Sequence, residues 1–151
     1  MNNAFRKGQR QIFDEDLEPS MQPEQIFTPT ALAALFPPDR THDFFEALFG
    51  DADEGAYDIT LSFEGYDAPH QCLSFLLNLH ERPGRCLACN LTHGLPEVFK
   101  RHPVINIKGL VDAIGALLGE GMACEEWQLG RTLHKGRSLH CIPLRVKLTT
   151  V

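Results

Sequence analysis

Apolar side chains stand at every second position in Tyr57–Phe63, Leu73–Leu79 and Leu87–Leu91, and short polar connections follow the first two stretches. A period of two sends such side chains to one side of a strand. The three stretches therefore read as a half-buried antiparallel meander. One register sets Phe63 opposite Leu73, Leu61 opposite Phe75, Ile59 opposite Leu77 and Tyr57 opposite Leu79, around a turn at Asp67-Ala68-Pro69. The next sets Leu79 opposite Leu87, Leu77 opposite Cys89 and Phe75 opposite Leu91, with Arg82-Pro83-Gly84 at the tip and Glu81 beside Arg85. The other side carries Asp58, Thr60, Ser62, Glu64, Ser74, Asn78 and His80, with Leu76 as its apolar exception, so it is either wet or covers a partner. A slip of one residue would bury those polar groups, at about 1–3 kcal/mol for each one left unpaired.

Helical signals flank the meander. Thr28-Pro29 offers a cap and a first-turn proline for a short helix over Ala31–Phe36, stopped by Pro37-Pro38. Thr41 is positioned to cap a second helix with Phe44, Phe45, Leu48 and Phe49 as its apolar stripe and Gly50 as its stop. A short helical turn is expected between Gly94 and Pro103. The main helix follows, capped by Asn106, with Ile107, Leu110, Val111, Ile114, Leu117 and Leu118 at helical spacing and Gly119 at its end. Gly109 and Gly115 inside it each cost about 1 kcal/mol relative to alanine, which suggests a close approach to a neighbour. Two last strands, near Glu126–Leu133 and Leu139–Leu148, join through Lys135-Gly136-Arg137, and Pro143 predicts a local edge or bulge in the second.

These elements predict an α+β domain over residues 27–151, an antiparallel sheet of about five strands (the meander plus a C-terminal hairpin) with helices packed on one face. Residues 1–26, with Pro19, Pro23 and the acidic Asp14-Glu15-Asp16, read as an N-terminal arm, docked or flexible. At 151 residues the chain has enough core to need no disulfides. Five cysteines at irregular spacing, with no apolar signal segment and no membrane-length run, lead to the expectation of reduced thiols in a cytoplasmic protein. The formal charge of −6 argues against nucleic acid and anionic membrane as partners. It hides a segregation, nine carboxylates against one arginine from Asp39 to Asp67, and five basic residues without an acid from Arg131 to Val151. Such flanks attract each other within a fold or across a dimer.

The candidate chemistry is sparse. Cys86-Leu-Ala-Cys89 with His93 has the residue types of a zinc or redox site. On the third strand of the meander, however, residues three apart face opposite sides, so these weak candidates yield to an expectation of no metal and no cofactor. Asp51-x-Asp53-x-Gly55 begins like a calcium loop but has Ser62 at the twelfth place, where a carboxylate is needed. His80 and Cys86 would be neighbours beside the second turn, without a third group to orient them. Arg131, His134, Lys135, Arg137 and His140 form the one concentrated cationic segment, a ligand-binding candidate for a phosphate or carboxylate.

The order helices, three strands, helix, two strands resembles that of the secretion-chaperone-like domains over residues 28–148. The resemblance is one of topology. It implies a small acidic homodimer that holds an extended segment of a client. The expected function is accordingly a non-catalytic protein-interaction module, with a protein partner or a second copy of itself. The alternative is a small-anion or nucleotide-binding domain, enzymatic or not, that uses the basic C-terminal hairpin.

Overall fold

The computed structural model describes residues 22–50, 57–82 and 89–150. Three helices open it, α1 (Pro23–Ile26), α2 (Pro29–Leu35) and α3 (Pro38–Phe49). Each starts on a proline, whose fixed φ is already helical and whose missing N–H costs nothing in a first turn. Thr28 Oγ1 accepts from the Ala31 N–H at 3.2 Å, capping α2 as its sequence predicts. Gly50 ends α3 in the left-handed region, at φ 81°. The start of α3 differs from expectation. Pro37 caps it and Pro38 opens it, so Thr41 is a buried residue of the second turn and not a cap. Residues 22–26, read as part of the arm, are Gln22 and α1, which packs against the first strand.

The sheet contains β1 (Tyr57–Asp67), β2 (Cys72–Glu81), β3 (Met122–Leu129), β4 (Leu133–Gly136) and β5 (Leu139–Thr150). All pairings are antiparallel, in the order β1-β2-β5-β3, with β4 also on β5. The α+β class and the five-stranded antiparallel sheet are thus as predicted, but the meander is not. Its expected third strand is replaced at residue 89 by a helix, α4 (Cys89–Arg101). The reason is visible downstream. Leu91, Leu95, Val98 and Phe99 also recur at helical spacing, and burial of Leu95 and Phe99 decides the ambiguity in favour of the helix. The place beside β2 goes to β5, with Leu79 opposite His140, Leu77 opposite Ile142, Phe75 opposite Leu144 and Leu73 opposite Val146.

The β1–β2 register also differs. Ile59 faces Leu79, Leu61 faces Leu77 and Phe63 faces Phe75, a slip of two residues from the predicted pairing. An even slip keeps the side chains of Tyr57–Phe63 on their predicted faces. A bulge between Phe63 and Gly65 adds one more residue of shift, and a four-residue turn over 68–71 that places Gln71 at φ 51° closes the hairpin. Asp67, expected in the turn, instead ends β1.

After α4 comes α5 (Ile107–Leu118), whose cap Asn106 accepts from the Gly109 N–H at 3.1 Å. Ile107, Leu110, Val111 and Ile114 are buried, while Leu117, expected in the same stripe, is 43% exposed. The core lies between the helices and one side of the sheet. Phe27 meets Phe75 edge-on at 5.0 Å between ring centroids, and Phe44 meets Phe99 edge-on at 5.4 Å. Phe99 is fully buried and Trp127 packs half-buried against the same core. α1, α2 and α3 pack on β1, and α5 packs on β3. No helix among the described residues is long and apolar enough to cross a membrane.

Pro143 sits in a strand that has neighbours on both sides. β3 ends with Leu129 opposite Leu144 and β4 starts with Leu133 opposite Cys141, so a break in the ladder falls beside Pro143. Its carbonyl still accepts from the Gly130 N–H at 2.8 Å. A residue's N–H and C=O point to the same side in an antiparallel strand, so the donor that proline lacks falls at the break, a local edge inside the sheet.

Candidate functional site

With the helices on one side, the other side of the sheet has no helix over it among the described residues. The registers align its side chains into rows across β1, β2, β5 and the outer strands. The middle rows are Ser62–Leu76–Pro143 and Thr60–Asn78–Cys141–Leu133, followed at one end by Asp58–His80–Leu139. The rows at the other end are Gly65–Ser74–Arg145–Gln128 and Asp67–Cys72–Lys147–Glu126. Leu76, Leu139 and Pro143 are half-buried and Leu133 is 39% exposed, so apolar side chains run across the middle of this face with no helix over them among the described residues.

Hydrogen bonds tie the middle rows together. The Cys141 thiol donates to Asn78 Oδ1 at 3.2 Å, and Asn78 Nδ2 donates to Ser62 Oγ at 3.0 Å. His80 Nε2 and Thr60 Oγ1 are 3.0 Å apart. Burial pushes the Cys141 thiol up from its ordinary range, nearby Lys135 opposes this, and Glu64 adds to it. The thiol therefore stays protonated at neutral pH and serves as a donor, and Glu64 is close enough to the open face to be felt there.

The charged end holds a depression of about 680 Å³, lined among others by Asp67, His70, Glu126, Gln128, Arg145 and Lys147. His70 Nδ1 lies 2.8 Å from Asp67 Oδ2. This hydrogen bond holds the Asp67 carboxyl below its usual range, against a smaller desolvation effect, and Arg145 contributes a weaker attraction. Arg145, Lys147 and Glu126 form no ion pair among the described residues. At the opposite end Asp58 is engaged by Arg82, Nε to Oδ1 at 3.1 Å.

The residues singled out from the sequence lie elsewhere. His134 and His140 are opposite each other on β4 and β5 and stack at 4.9 Å with an interplanar angle of 16°. His140 meets Tyr57 at 6.1 Å, on the helix side of the sheet. Arg131, Lys135 and Arg137 are exposed around the same hairpin, whose turn is Arg137-Ser138, one step past the predicted Lys135-Gly136-Arg137. None of the five lines the depression. Cys86, Arg85 and the Asp51–Gly55 segment lie outside the described residues. Cys89 opens α4 and His93 follows four residues later on it, so the argument that Cys86 and Cys89 share a strand and face opposite ways does not hold. Among the described residues no group of three or more His, Cys, Asp or Glu is arranged to hold a metal.

Sequence reasoning missed Arg145 and Lys147. The signal was present, because both fall on the polar phase of the alternation Ile142, Leu144, Val146, Leu148, which assigns them to one face. No protein-family model, curated protein or solved structure matches this chain. The order of elements behind the resemblance to secretion chaperones is itself revised by α4, which stands where the third strand was expected.

Proposed function

We propose that this chain is a non-catalytic protein-interaction module that docks through the open face of its sheet, and that it works as a homodimer. The observation that carries this reading is the layout of that face. Apolar side chains at Leu76, Leu139, Pro143 and Leu133 lie between charges at the two ends of the face, Asp67, Glu126, Arg145 and Lys147 at one and Asp58 with Arg82 at the other. Apolar side chains flanked by charge are the anatomy of a protein contact. The edges of the sheet are poorer docking sites. β1 carries a bulge at Glu64 and β3 a bulge at Glu125, and a bulge with a carboxylate blunts strand addition. The charge layout favours a second copy as occupant, since acids on β1 and bases on β5 make the face self-complementary, as a two-fold contact requires.

A photo-crosslinking residue at Leu76, compared with one at exposed Ala116 on α5, tests this reading. Irradiation of the purified protein is expected to give an adduct of twice the monomer mass from position 76 and none from 116. Equal yields from both positions, or none from either, in purified protein and in cell extract would overturn it.

A further inference from the structure

We infer that the two copies stack face to face about a two-fold axis running along β2, so that β1 of each copy lies over β5 of the other. This inference rests on the open-face reading above and adds the arrangement and the residues that set it. A two-fold axis between stacked sheets lies in the interface, either along the strands or across them. An axis across the strands sets β1 over β1 in reverse, bringing Asp58 of one copy toward Asp67 of the other, acid on acid. An axis along the strands but between β2 and β5 brings Asp67 over Glu126, again acid on acid. The axis along β2 alone brings unlike charges together. It preserves the rows, so Asp67 meets Lys147 of the second copy, and Glu64, at the bulge beside Gly65, meets Arg145 of the second copy.

The geometry is compatible with this stacking. Packed sheets are roughly 10 Å apart, a gap that a lysine or arginine together with a carboxylate can bridge. Their strands align within about 30°, so the rows stay matched near the axis. Leu76 lies on β2 in the apolar middle row and meets Leu76 of the second copy on the axis. Arg145 and Lys147 form no ion pair within the chain among the described residues, so both are available to the partner. The extent is modest. β2 and β5 pair over nine residues, and the three strands that overlap about this axis, β1, β2 and β5 at ~4.8 Å spacing, give a contact of about 430 Å² per copy. At about 860 Å² for the two copies together this is the size of a weak, transient contact, and dissociation at tens of micromolar or above is expected.

Two double variants test the arrangement by sedimentation across a concentration series, with circular dichroism to verify folding. Glu64→Lys/Asp67→Lys makes β1 basic opposite a basic β5, and Arg145→Glu/Lys147→Glu makes β5 acidic opposite an acidic β1. Each alone is expected to dimerise at least about tenfold more weakly than the natural chain, because like charges now face each other. Mixed, they are expected to form a heterodimer, since every facing pair is again of opposite sign. If either variant self-associates like the natural chain, or the mixture stays monomeric while both are folded, the arrangement is overturned. A dimer-sized adduct from position 76 together with either result would retain the open-face reading and remove this one. A natural chain that stays monomeric throughout and gives no adduct would remove both.

Discussion

Cys141, fully buried on the side of the sheet that no described helix covers, donates its thiol hydrogen to Asn78 Oδ1 on the neighbouring strand at 3.2 Å. The side chains of Asn78, Cys141 and Ser62 thus form one connected polar strip beside the apolar side chains of the middle rows. Removing the donor leaves the Asn78 carbonyl underpaired. Cys141→Ala is expected to lower stability in urea unfolding by about 1–3 kcal/mol, and Cys141→Ser, which keeps a donor, by less.

The same thiol predicts a loss of stability in alkali. Burial raises its pKa above the ordinary 9.0, and burial, with a contribution from Asp112, raises that of Cys124, whose thiol donates to the Val111 carbonyl at 3.5 Å. A thiol that holds its proton longer when folded stabilises the fold fully below the unfolded pKa. That contribution is lost as pH rises from the unfolded pKa through the folded one. Unfolding free energy is therefore expected to fall above about pH 9, and the slope to be shallower in Cys141→Ser. An unchanged slope would mean that Cys141 ionises equally in both states.

Asp67 has the opposite sign. The His70 hydrogen bond is the first cause of its lowered pKa, so its contribution is present above the unfolded value and lost as pH falls through the folded one. Carboxyl carbon titration by NMR is expected to show the Asp67 pKa rising toward the ordinary carboxylate range in His70→Ala. No movement would assign the depression to Arg145 or to the backbone instead.

Period-two alternation was enough to assign the faces of Tyr57–Phe63 and Leu73–Leu79 correctly, because burying one side of a sheet leaves little freedom of phase. It was not enough to choose neighbours. Leu87, Cys89 and Leu91 satisfy a strand pattern locally, while Leu91, Leu95, Val98 and Phe99 satisfy a helix, and only packing of Leu95 and Phe99 against the core separates the two. The distance between Phe63 and Phe75 in sequence likewise does not encode a bulge at Glu64, so the register came out two residues off. The open face was legible as a polar phase. Its charged end was not, because Arg145 pairs with Ser74 and Gln128, and Lys147 with Cys72 and Glu126, through strand neighbours the sequence does not specify.

Two glycines of α5 differ in a way their shared helical pattern hides. A Cβ on Gly115 would meet only Cys124 Sγ, at 3.5 Å, an ordinary contact, so Gly115→Ala is expected to stabilise the protein by about 0.5–1 kcal/mol. A Cβ on Gly109 would collide with the Asn106 side chain that caps the helix. This close approach is to the cap and not to the sheet. Gly109→Ala is expected to gain nothing, since displacing the cap costs about 1 kcal/mol and offsets the helical preference of alanine. Thermal unfolding of the two variants side by side measures the difference.

Gly130 and Pro143 fit closely against each other at the break in the sheet. The Gly130 N–H donates to the Pro143 carbonyl, and a Cβ on Gly130 would lie 3.2 Å from Pro143 Cγ and 3.4 Å from Cβ and Cδ. The ring cannot rotate away, and Pro143 is anchored between Leu76 on β2 and the Gly130 N–H that its carbonyl accepts across the break. Gly130→Ala is therefore expected to destabilise by about 1–3 kcal/mol through overpacking. Pro143→Ala removes the ring and supplies an N–H at a position where the ladder is broken, so alone it is expected to cost about 1 kcal/mol or less. Together the two should cost less than their sum, because the collision no longer exists. A double-mutant cycle in urea reads that coupling directly, and strictly additive effects would mean that Gly130 is required for its backbone alone and not for the space beside the proline.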